Sequence, residues 1–352
     1  MQYPIDQAAA ERDHRLQQLL PPGYTLHAPT LDDVPATVAM QNASSLDTFG
    51  TIQFTEEEFL ADWQEPFFNL ATDGRLVTAP NGQVVGSTDV IFRPPYVRNF
   101  IWGRVHPNFR GQGIGTVLTQ WAEERIVERI PEAPADARIT AGASNSNTDR
   151  AAAEMLANLG YDHARSFYSM KTEMTEAPPL PLWPAGITIR TMVAGQDEAA
   201  VFRAKDEAFR DHWGHVETSF EDGYALWLHH IQKDPDHDPS LYFLAMDGAE
   251  IAGYALCQAK TTDYPDMGWV DNLGVRRPWR RQGLALALLH HLFGEFYQRG
   301  VKAVGLGVDA GSLTGATRLY EKAGMHTFRH YNAYEKELRP GRDLTTQQVD
   351  AR

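Results

Sequence analysis

The sequence predicts an α/β protein that contains two copies of one domain, each a mixed, twisted β-sheet with flanking helices. The first observation is a glycine-containing motif that occurs twice, as VHPNFRGQGIG at residues 105–115 and as VRRPWRRQGLA at residues 275–285. The second observation is that the flanking segments also repeat, at offsets between 163 and 170 residues. A repeat of this length indicates tandem domains.

The elements of the second copy follow from residue periodicity and turn residues. Asp247-Gly248 between two apolar runs predicts a hairpin, and Gly300 and Gly324 each end a helix. The predicted order is a strand at 187–191, helices near 196–210 and 219–232, a hairpin over 241–260, a strand at 267–275, a helix at 284–298, a strand at 301–308, a helix at 314–323 and final strands between 326 and 338. The first copy repeats this order, so antiparallel strands come first and one parallel β-loop-α-β step follows.

The boundaries of the two copies follow from composition. Residues 1–22 predict a helical leader before an N-terminal domain at 23–175. The proline-rich segment 176–185 is predicted as a linker, since its prolines exclude helix and central strand. The C-terminal domain is expected at 186–340, and the polar tail 341–352 is expected to be loose.

Charge and cysteine content limit the classes of partner. A net charge of −14 argues against nucleic acid, because neutralising phosphates with basic side chains dominates that affinity. Cys257 is the only cysteine, which agrees with a reducing compartment. The sequence shows neither a signal peptide nor an apolar run long enough to span a bilayer. We therefore expect a cytoplasmic protein without a membrane partner; the oligomeric state stays open.

The repeated motif is a glycine-rich turn that opens a helix, an arrangement that binds phosphate through unpaired backbone N–H groups. A P-loop would need Gly-Lys-Ser/Thr after four free residues, and neither copy has it. A Rossmann motif would follow the first strand, whereas this loop follows the fourth. The remaining pattern, Q/R-x-x-G-x-G/A, is that of an acyl-CoA loop and fits both copies.

With these motifs, residues 24–338 resemble the GNAT acyltransferase superfamily, as a tandem two-domain member. The resemblance implies a splayed pair of parallel strands, acetyl-CoA as co-substrate without a metal, and an amine as acceptor. It implies that the strand before the loop contacts pantetheine and that the loop wraps the pyrophosphate. In the second copy these residues are Leu273, Gly274 and Val275, then Arg280, Arg281, Gln282, Gly283, Leu284, Ala285 and Leu286. In the first copy they are Gly103, Arg104 and Val105, then Arg110, Gly111, Gln112, Gly113, Ile114, Gly115 and Thr116.

Acyl transfer to an amine needs a proton donor for the departing thiolate. The family pattern places a tyrosine four residues before the glycine that ends the last helix, and here it is Tyr320. The first copy has Leu156 at that place, which cannot donate a proton. We therefore expect catalysis in the second copy and a degenerate first copy.

The reaction also needs a base for the amine and a donor for the carbonyl oxygen. Asp271 is the candidate base, because strand alternation puts it on one face with Leu273 and Val275. Asp309, which ends the next strand, is a weaker candidate that could instead cap the following turn. The oxygen donor is expected to be a backbone N–H at Gly274 or Val275.

Residues 209–215, here called the acceptor loop, are expected to line the acceptor cleft through Trp213 and His215. Several histidines invite a metal interpretation, but none of their spacings matches a strong ligand motif, and we expect no metal. The leading hypothesis is an N-acetyltransferase that acts on a small-molecule amine. The alternatives are an acyl-CoA-binding regulatory or scaffold protein without turnover, and two working sites with different acceptors.

Overall fold

The computed structural model describes residues 3–347, which form two compact units. Unit 1 consists of residues 3–164 and 332–344, and unit 2 of residues 165–331 and 345–347. Each unit therefore consists of two stretches that are not consecutive in the sequence. The domains predicted from sequence, 23–175 and 186–340, are single stretches, and they place residues 165–175 and 332–340 in the other copy.

Unit 1 begins with a helix and builds the predicted mixed sheet. Its elements are α1 (Tyr3–Gln17), β1 (Thr25–His27), α2 (Val34–Phe49), α3 (Glu56–Trp63), α4 (Leu70–Asp73), β2 (Gly74–Thr78), β3 (Val84–Ile91), β4 (Arg98–Val105), α5 (Ile114–Arg129), β5 (Ile139–Ser146), α6 (Arg150–Asn158) and the start of β6 (Asp162–Glu173). The sheet order is β1-β2-β3-β4-β5, followed by residues 332–339. β4 and β5 are parallel, as predicted, and the pairs before them are antiparallel.

Unit 2 repeats this architecture. Its elements are β7 (Ile187–Thr191), α7 (Glu198–Phe209), α8 (Phe220–Lys233), β8 (Tyr242–Asp247), β9 (Glu250–Gln258), β10 (Gly268–Val275), α9 (Leu284–Gln298), β11 (Ala303–Asp309), α10 (Ala316–Lys322) and β12 (His326–Arg339), which supplies residues 326–331. The sheet order is β7-β8-β9-β10-β11, followed by residues 165–173 of β6 and then β12. β10 and β11 are parallel, and β6 runs antiparallel to β11.

The sheet of unit 2 is buried on both faces. One face packs against the apolar side of α9 through Ala255, Cys257 and Val270. The other face packs against α7 and α8 through Tyr254 and Leu256. These alternating positions on β9 separate a face toward α9 from a face toward α7.

The leader helix α1 is an integral part of unit 1. Leu16 is completely buried, and Asp13 accepts hydrogen bonds from Arg75 and from the indole of Trp121. Arg12, also buried, pairs with Glu128 on α5. The sequence predicted the helix but not these contacts.

The tail is not loose in the part that the structure describes. Arg342 forms a parallel bridge with Ala137 in unit 1. Thr345 forms an antiparallel bridge with Val216 in unit 2, and Thr346 continues it. Residues 348–352 lie outside the described residues. Among residues 3–347, helices of the length and apolarity required to cross a bilayer are absent.

Candidate active site

The parallel strands of unit 2 separate part way along their length. β10 and β11 pair at Gly268–Val304, Trp269–Gly305 and Val270–Leu306, and the register ends there. The edge of β10 from Asp271 to Val275 therefore faces an opening rather than a neighbouring strand. The residues expected to contact pantetheine, Leu273, Gly274 and Val275, form this edge.

A β-bulge lies at the point of separation. On β9, Cys257 and Leu256 are consecutive, but they pair with Val270 and Asn272, so Asp271 is an extra residue. The expected strand alternation is therefore wrong here. Val270 and Leu273, three positions apart, pack in the same core cluster, and Asp271 is not on a regular face with Leu273.

Asp271 lies at the bulge and keeps contact with solvent. Desolvation by the surrounding protein raises the pKa of this carboxylate to about 7, and the negative charge of Asp234 nearby also raises it. A carboxylate with this pKa is a stronger proton acceptor than an ordinary aspartate and is still largely ionised at pH 8. This arrangement fits the predicted role of Asp271 as a base.

Asp309 is engaged elsewhere. Arg165 donates to both of its carboxylate oxygens, at 2.9 and 3.0 Å, and the backbone N–H of Gly311 donates to Oδ1 at 2.9 Å. Asp309 therefore caps the turn after β11, the second of the two roles considered for it.

The second glycine loop, residues 280–286, has an open backbone at the start of α9. Gly283 has φ +89°, and a Cβ at this position would lie in open space. Arg281 also adopts a left-handed φ, +62°. The first intrahelical bond is donated by Ala287 to Gly283, so the N–H groups from Gly283 to Leu286 have no intrahelical acceptor. The residues present therefore fit the pyrophosphate of CoA.

The side chain of Arg280 anchors the loop. Its guanidinium donates to the carbonyls of Val275 and Ala208 and to Asp211, at 2.9, 3.1 and 2.5 Å respectively. Asp211 is buried, and its hydrogen bonds from Arg277 and Arg280 lower its pKa to about 2. The basic residue of the motif therefore fixes the loop against the end of α7, so a phosphate group bound here would be contacted mainly by the backbone.

The other loop side chains are divided between surface and core. Gln282 is exposed and donates to the carbonyl of Pro278 at 3.1 Å. Leu284, the first residue of α9, is buried in the core, while Ala285 and Leu286 are half-buried.

Tyr320 lies on α10 and is buried at 7% exposure within the α9-facing core. Burial raises the pKa of its hydroxyl to about 12, so it is protonated at neutral pH. A protonated hydroxyl in an apolar setting is suited to donate to a thiolate.

The acceptor loop follows α7 and is held by residues 346 and 347 of the tail. The N–H of Gly214 donates to the carbonyl of Thr346 at 2.8 Å, and the N–H of Thr346 donates to the carbonyl of His215 at 2.9 Å. The indole of Trp213 donates to Gln347 at 3.0 Å, and the Arg165 guanidinium lies 5.1 Å from its ring. Arg165 also holds Asp309, so Trp213 is tied to the end of β11.

His215 is half-buried, and burial lowers the pKa of its imidazole. The histidines that invited a metal interpretation are His212, His215, His229, His230 and His237. Across residues 3–347, groups of three or more His, Cys, Asp or Glu side chains placed to hold a metal ion are absent. The expectation of a metal-free reaction stays a prediction.

Unit 1 keeps the open loop. Its parallel strands pair from Arg98–Thr140 to Phe100–Gly142 and then separate. Gly111 and Gly113 have φ of +75° and +80°. Other loop residues make local contacts: Gln112 accepts from Tyr24, Ile114 is buried, Gly115 approaches Met155, Thr116 is half-buried, and Arg110 binds Asp47 on α2.

Unit 1 lacks the residues that were predicted from sequence as catalytic in unit 2. β3 and β4 pair in continuous register from Gly86–Val105 to Ile91–Phe100, so a counterpart of the bulged Asp271 is missing. Arg104 replaces Gly274, and its side chain bonds Ser45 and Gln53 beside the rings of Trp102 and Phe54. Leu156, at the place of Tyr320, is buried.

Sequence reasoning missed four contributors to this site: Asp211, Arg165, Asn272 and Tyr254. Tyr254 is completely buried, and its hydroxyl donates to Oδ1 of Asn272 at 2.8 Å. No spacing in the sequence marks these residues, since their partners lie between 18 and 144 positions away.

Comparison with known proteins gives a consistent result. The sequence profile of the acetyltransferase (GNAT) family matches residues 39–161 and 201–325. Mycothiol acetyltransferase from Thermobispora bispora is 32% identical over 230 residues, which are 63% of this chain and 70% of the relative. The enzyme of that name from Streptomyces scabiei is 30% identical over 238 residues, 66% of this chain and 70% of the relative.

Solved structures show the same fold. A GCN5-related N-acetyltransferase from Sphaerobacter thermophilus is 40% identical, with a TM-score of 0.75 over 92% of this chain and 99% of that one. A tandem GNAT protein from the clavulanic acid biosynthesis pathway is 15% identical, with a TM-score of 0.67 over 91% of this chain and 100% of that one.

Proposed function

Because the chain belongs to the GNAT acetyltransferase family, with a tandem layout like that of mycothiol synthase, we propose that unit 2 transfers an acetyl group from acetyl-CoA to a small-molecule amine. The observation that carries the proposal is the bulge, which sets the carboxylate of Asp271 where β10 leaves β11. The open loop that starts at Arg280 and the buried hydroxyl of Tyr320 belong to the same unit.

In the proposed reaction the amine nitrogen attacks the thioester carbonyl carbon directly. Asp271 accepts the proton that the amine loses, either directly or through a water molecule. A backbone N–H at Gly274 or Val275 stabilises the negative charge that develops on the carbonyl oxygen. The carbon–sulfur bond breaks, and Tyr320 donates its proton to the departing thiolate.

The acceptor is proposed as an amine of small size because the curated relatives are named mycothiol acetyltransferases. Trp213 and His215 would line its cleft, since the acceptor loop is tied to the end of β11. A cytoplasmic location remains a prediction from sequence.

For unit 1 we propose CoA binding or a structural role without turnover. The observation that favours this is the replacement of Gly274, Asp271 and Tyr320 by Arg104, an uninterrupted strand and Leu156. If both units lacked turnover, the protein would be an acyl-CoA-binding regulator or scaffold instead.

The test combines a binding titration with a turnover assay. Titration calorimetry with acetyl-CoA counts sites per chain, and free-thiol release is measured with a panel of amines that includes the one acetylated by mycothiol acetyltransferases. Turnover on at least one amine supports the proposal, and binding without turnover on any of them favours the regulator.

A matched pair of variants assigns the sites to units. Gly283→Val and Gly113→Val introduce the same strain, because both residues have strongly positive φ and open surroundings. We expect Gly283→Val to weaken acetyl-CoA binding to unit 2 about tenfold or more and Gly113→Val to leave turnover unchanged. The opposite pattern would assign the active site to unit 1.

A further inference from the structure

The edge of β10 that faces the opening is supported by one buried side chain. Tyr254 pairs with Gly274 across β9 and β10, and the hydroxyl-bearing end of its ring lies close to this glycine. A Cβ added at Gly274 would lie 2.4 Å from the Tyr254 hydroxyl oxygen and 2.6 Å from the ring carbon that bears it. Glycine is therefore required at position 274 by the close approach of the ring.

The hydroxyl of Tyr254 extends this support to the bulge. It donates to Oδ1 of Asn272 at 2.8 Å, and Asn272 directly follows the extra residue Asp271. The ring holds position 274 and the hydroxyl holds position 272. Residues 272–274 are thereby held from the side of the sheet that faces α7. They lie beyond the point where β10 stops pairing with β11.

Unit 1 supplies an internal comparison. At the positions of Tyr254, Asn272 and Gly274 it has Ser87, Trp102 and Arg104, and its strand pairs without a bulge. The tyrosine, the amide and the glycine therefore occur together in the unit that has the bulge and are jointly replaced in the other.

We propose that Tyr254 is a positioning residue, which through Asn272 and Gly274 fixes the bulge and so holds the carboxylate of Asp271 and the backbone N–H groups after it. The proposal rests on the proposed function of unit 2 for its catalytic consequence. Its structural part does not, because the rigidity of β10 can be measured in the absence of turnover.

The first experiment is hydrogen exchange on the full-length Tyr254→Phe protein. This variant keeps the ring against Gly274 and removes only the hydroxyl. We expect amides of residues 271–275 to exchange about tenfold faster, because the variant loses one neutral hydrogen bond, with unchanged exchange in α9. Tyr161→Phe in unit 1 is the matched control, since Tyr161 is also a buried tyrosine, and it should leave β10 unchanged. Unchanged exchange in Tyr254→Phe would overturn the proposal whether or not the protein acetylates amines.

The second experiment measures the consequence for turnover. In Tyr254→Phe we expect kcat to fall about tenfold and the KM for acetyl-CoA to stay within twofold. In a plot of kcat against pH, we also expect a change in the pH at which kcat falls to half of its maximum on the acid side. A purely structural role would lower the yield of folded protein but leave the pH profile per active molecule unchanged. Faster exchange with an unaltered kcat and pH profile would show that the tyrosine stabilises β10 without positioning Asp271.

Discussion

The environment of Asp271 predicts a specific dependence of rate on pH. Surrounding protein and the charge of Asp234 raise the pKa of Asp271 to about 7. The base must be ionised to accept a proton, so activity is lost as pH falls through that pKa. With a pKa of about 7, roughly one molecule in ten is ionised at pH 6 and roughly nine in ten at pH 8. We therefore expect kcat to rise about tenfold between these values from this group alone.

Two substitutions separate this effect from ionisation of the amine. Asp234→Asn removes the neighbouring negative charge, so the pKa of Asp271 falls and the midpoint of the acid limb moves to lower pH. Asp271→Asn removes the base, and we expect kcat to fall on the order of a hundredfold or more, with loss of this limb. Asp236→Asn is the control, because this exposed aspartate pairs with Lys260.

The assay is steady-state release of free CoA from pH 5.5 to 8.5, with one amine and saturating acetyl-CoA for all four proteins. Since the same amine is used throughout, its own titration cancels in the comparison. An Asp271→Asn protein with undiminished kcat would refute the assignment of the base. A midpoint that Asp234→Asn leaves in place would refute the electrostatic reasoning.

Three further predictions concern other parts of the chain. Tyr320→Phe should lower kcat on the order of a hundredfold while acetyl-CoA affinity, measured by titration, stays within a few-fold; unchanged kcat would remove Tyr320 from the mechanism. Ending the chain after Leu344 should raise the KM for the amine several-fold without altering acetyl-CoA affinity, because Trp213 loses its partner in the tail; an unchanged KM would exclude the tail from the cleft. In unit 1, burial raises the pKa of Asp89 to about 7, above the unfolded value, so stability should decline as pH rises from about 4 to 7. Asp89→Asn, which can still accept from Trp63, should therefore gain on the order of 1–3 kcal/mol at pH 8 and little at pH 4 in thermal unfolding, and equal effects at both pH values would contradict this.

The sequence predicted the elements of the fold well because their signals are local. The bounds of β7 and α9 agree with the expected residues, since strand alternation and a helix between two glycines are read from neighbours. The parallel step also followed from element order. The assignment of residues 165–173 to unit 2 and of residues 332–344 to unit 1 could not be predicted, because pairing between strands that are far apart in sequence leaves no local pattern.

Prediction of the site was limited in the same way. Asp271 was chosen by regular alternation, and the bulge that positions it depends on the register with β9, which single-strand patterns do not contain. Arg280 was recognised by motif, yet the direction of its side chain depends on Asp211, 69 residues earlier. The choice between two roles for Asp309 likewise depended on Arg165, 144 residues away.

The way in which the chain is divided between the two units bears on its synthesis and on whether it can be shortened. Unit 1 is incomplete until residue 344 has been synthesised, although its first 164 residues emerge early. A fragment cut at the proline-rich segment 176–185 would lack residues 332–344 and leave a sheet edge bare, which favours aggregation. The complementary fragment would lack residues 165–173, the strand beside β11. Even if unit 1 performs no chemistry, a gene cut at the proline-rich segment would therefore not encode a complete unit 2.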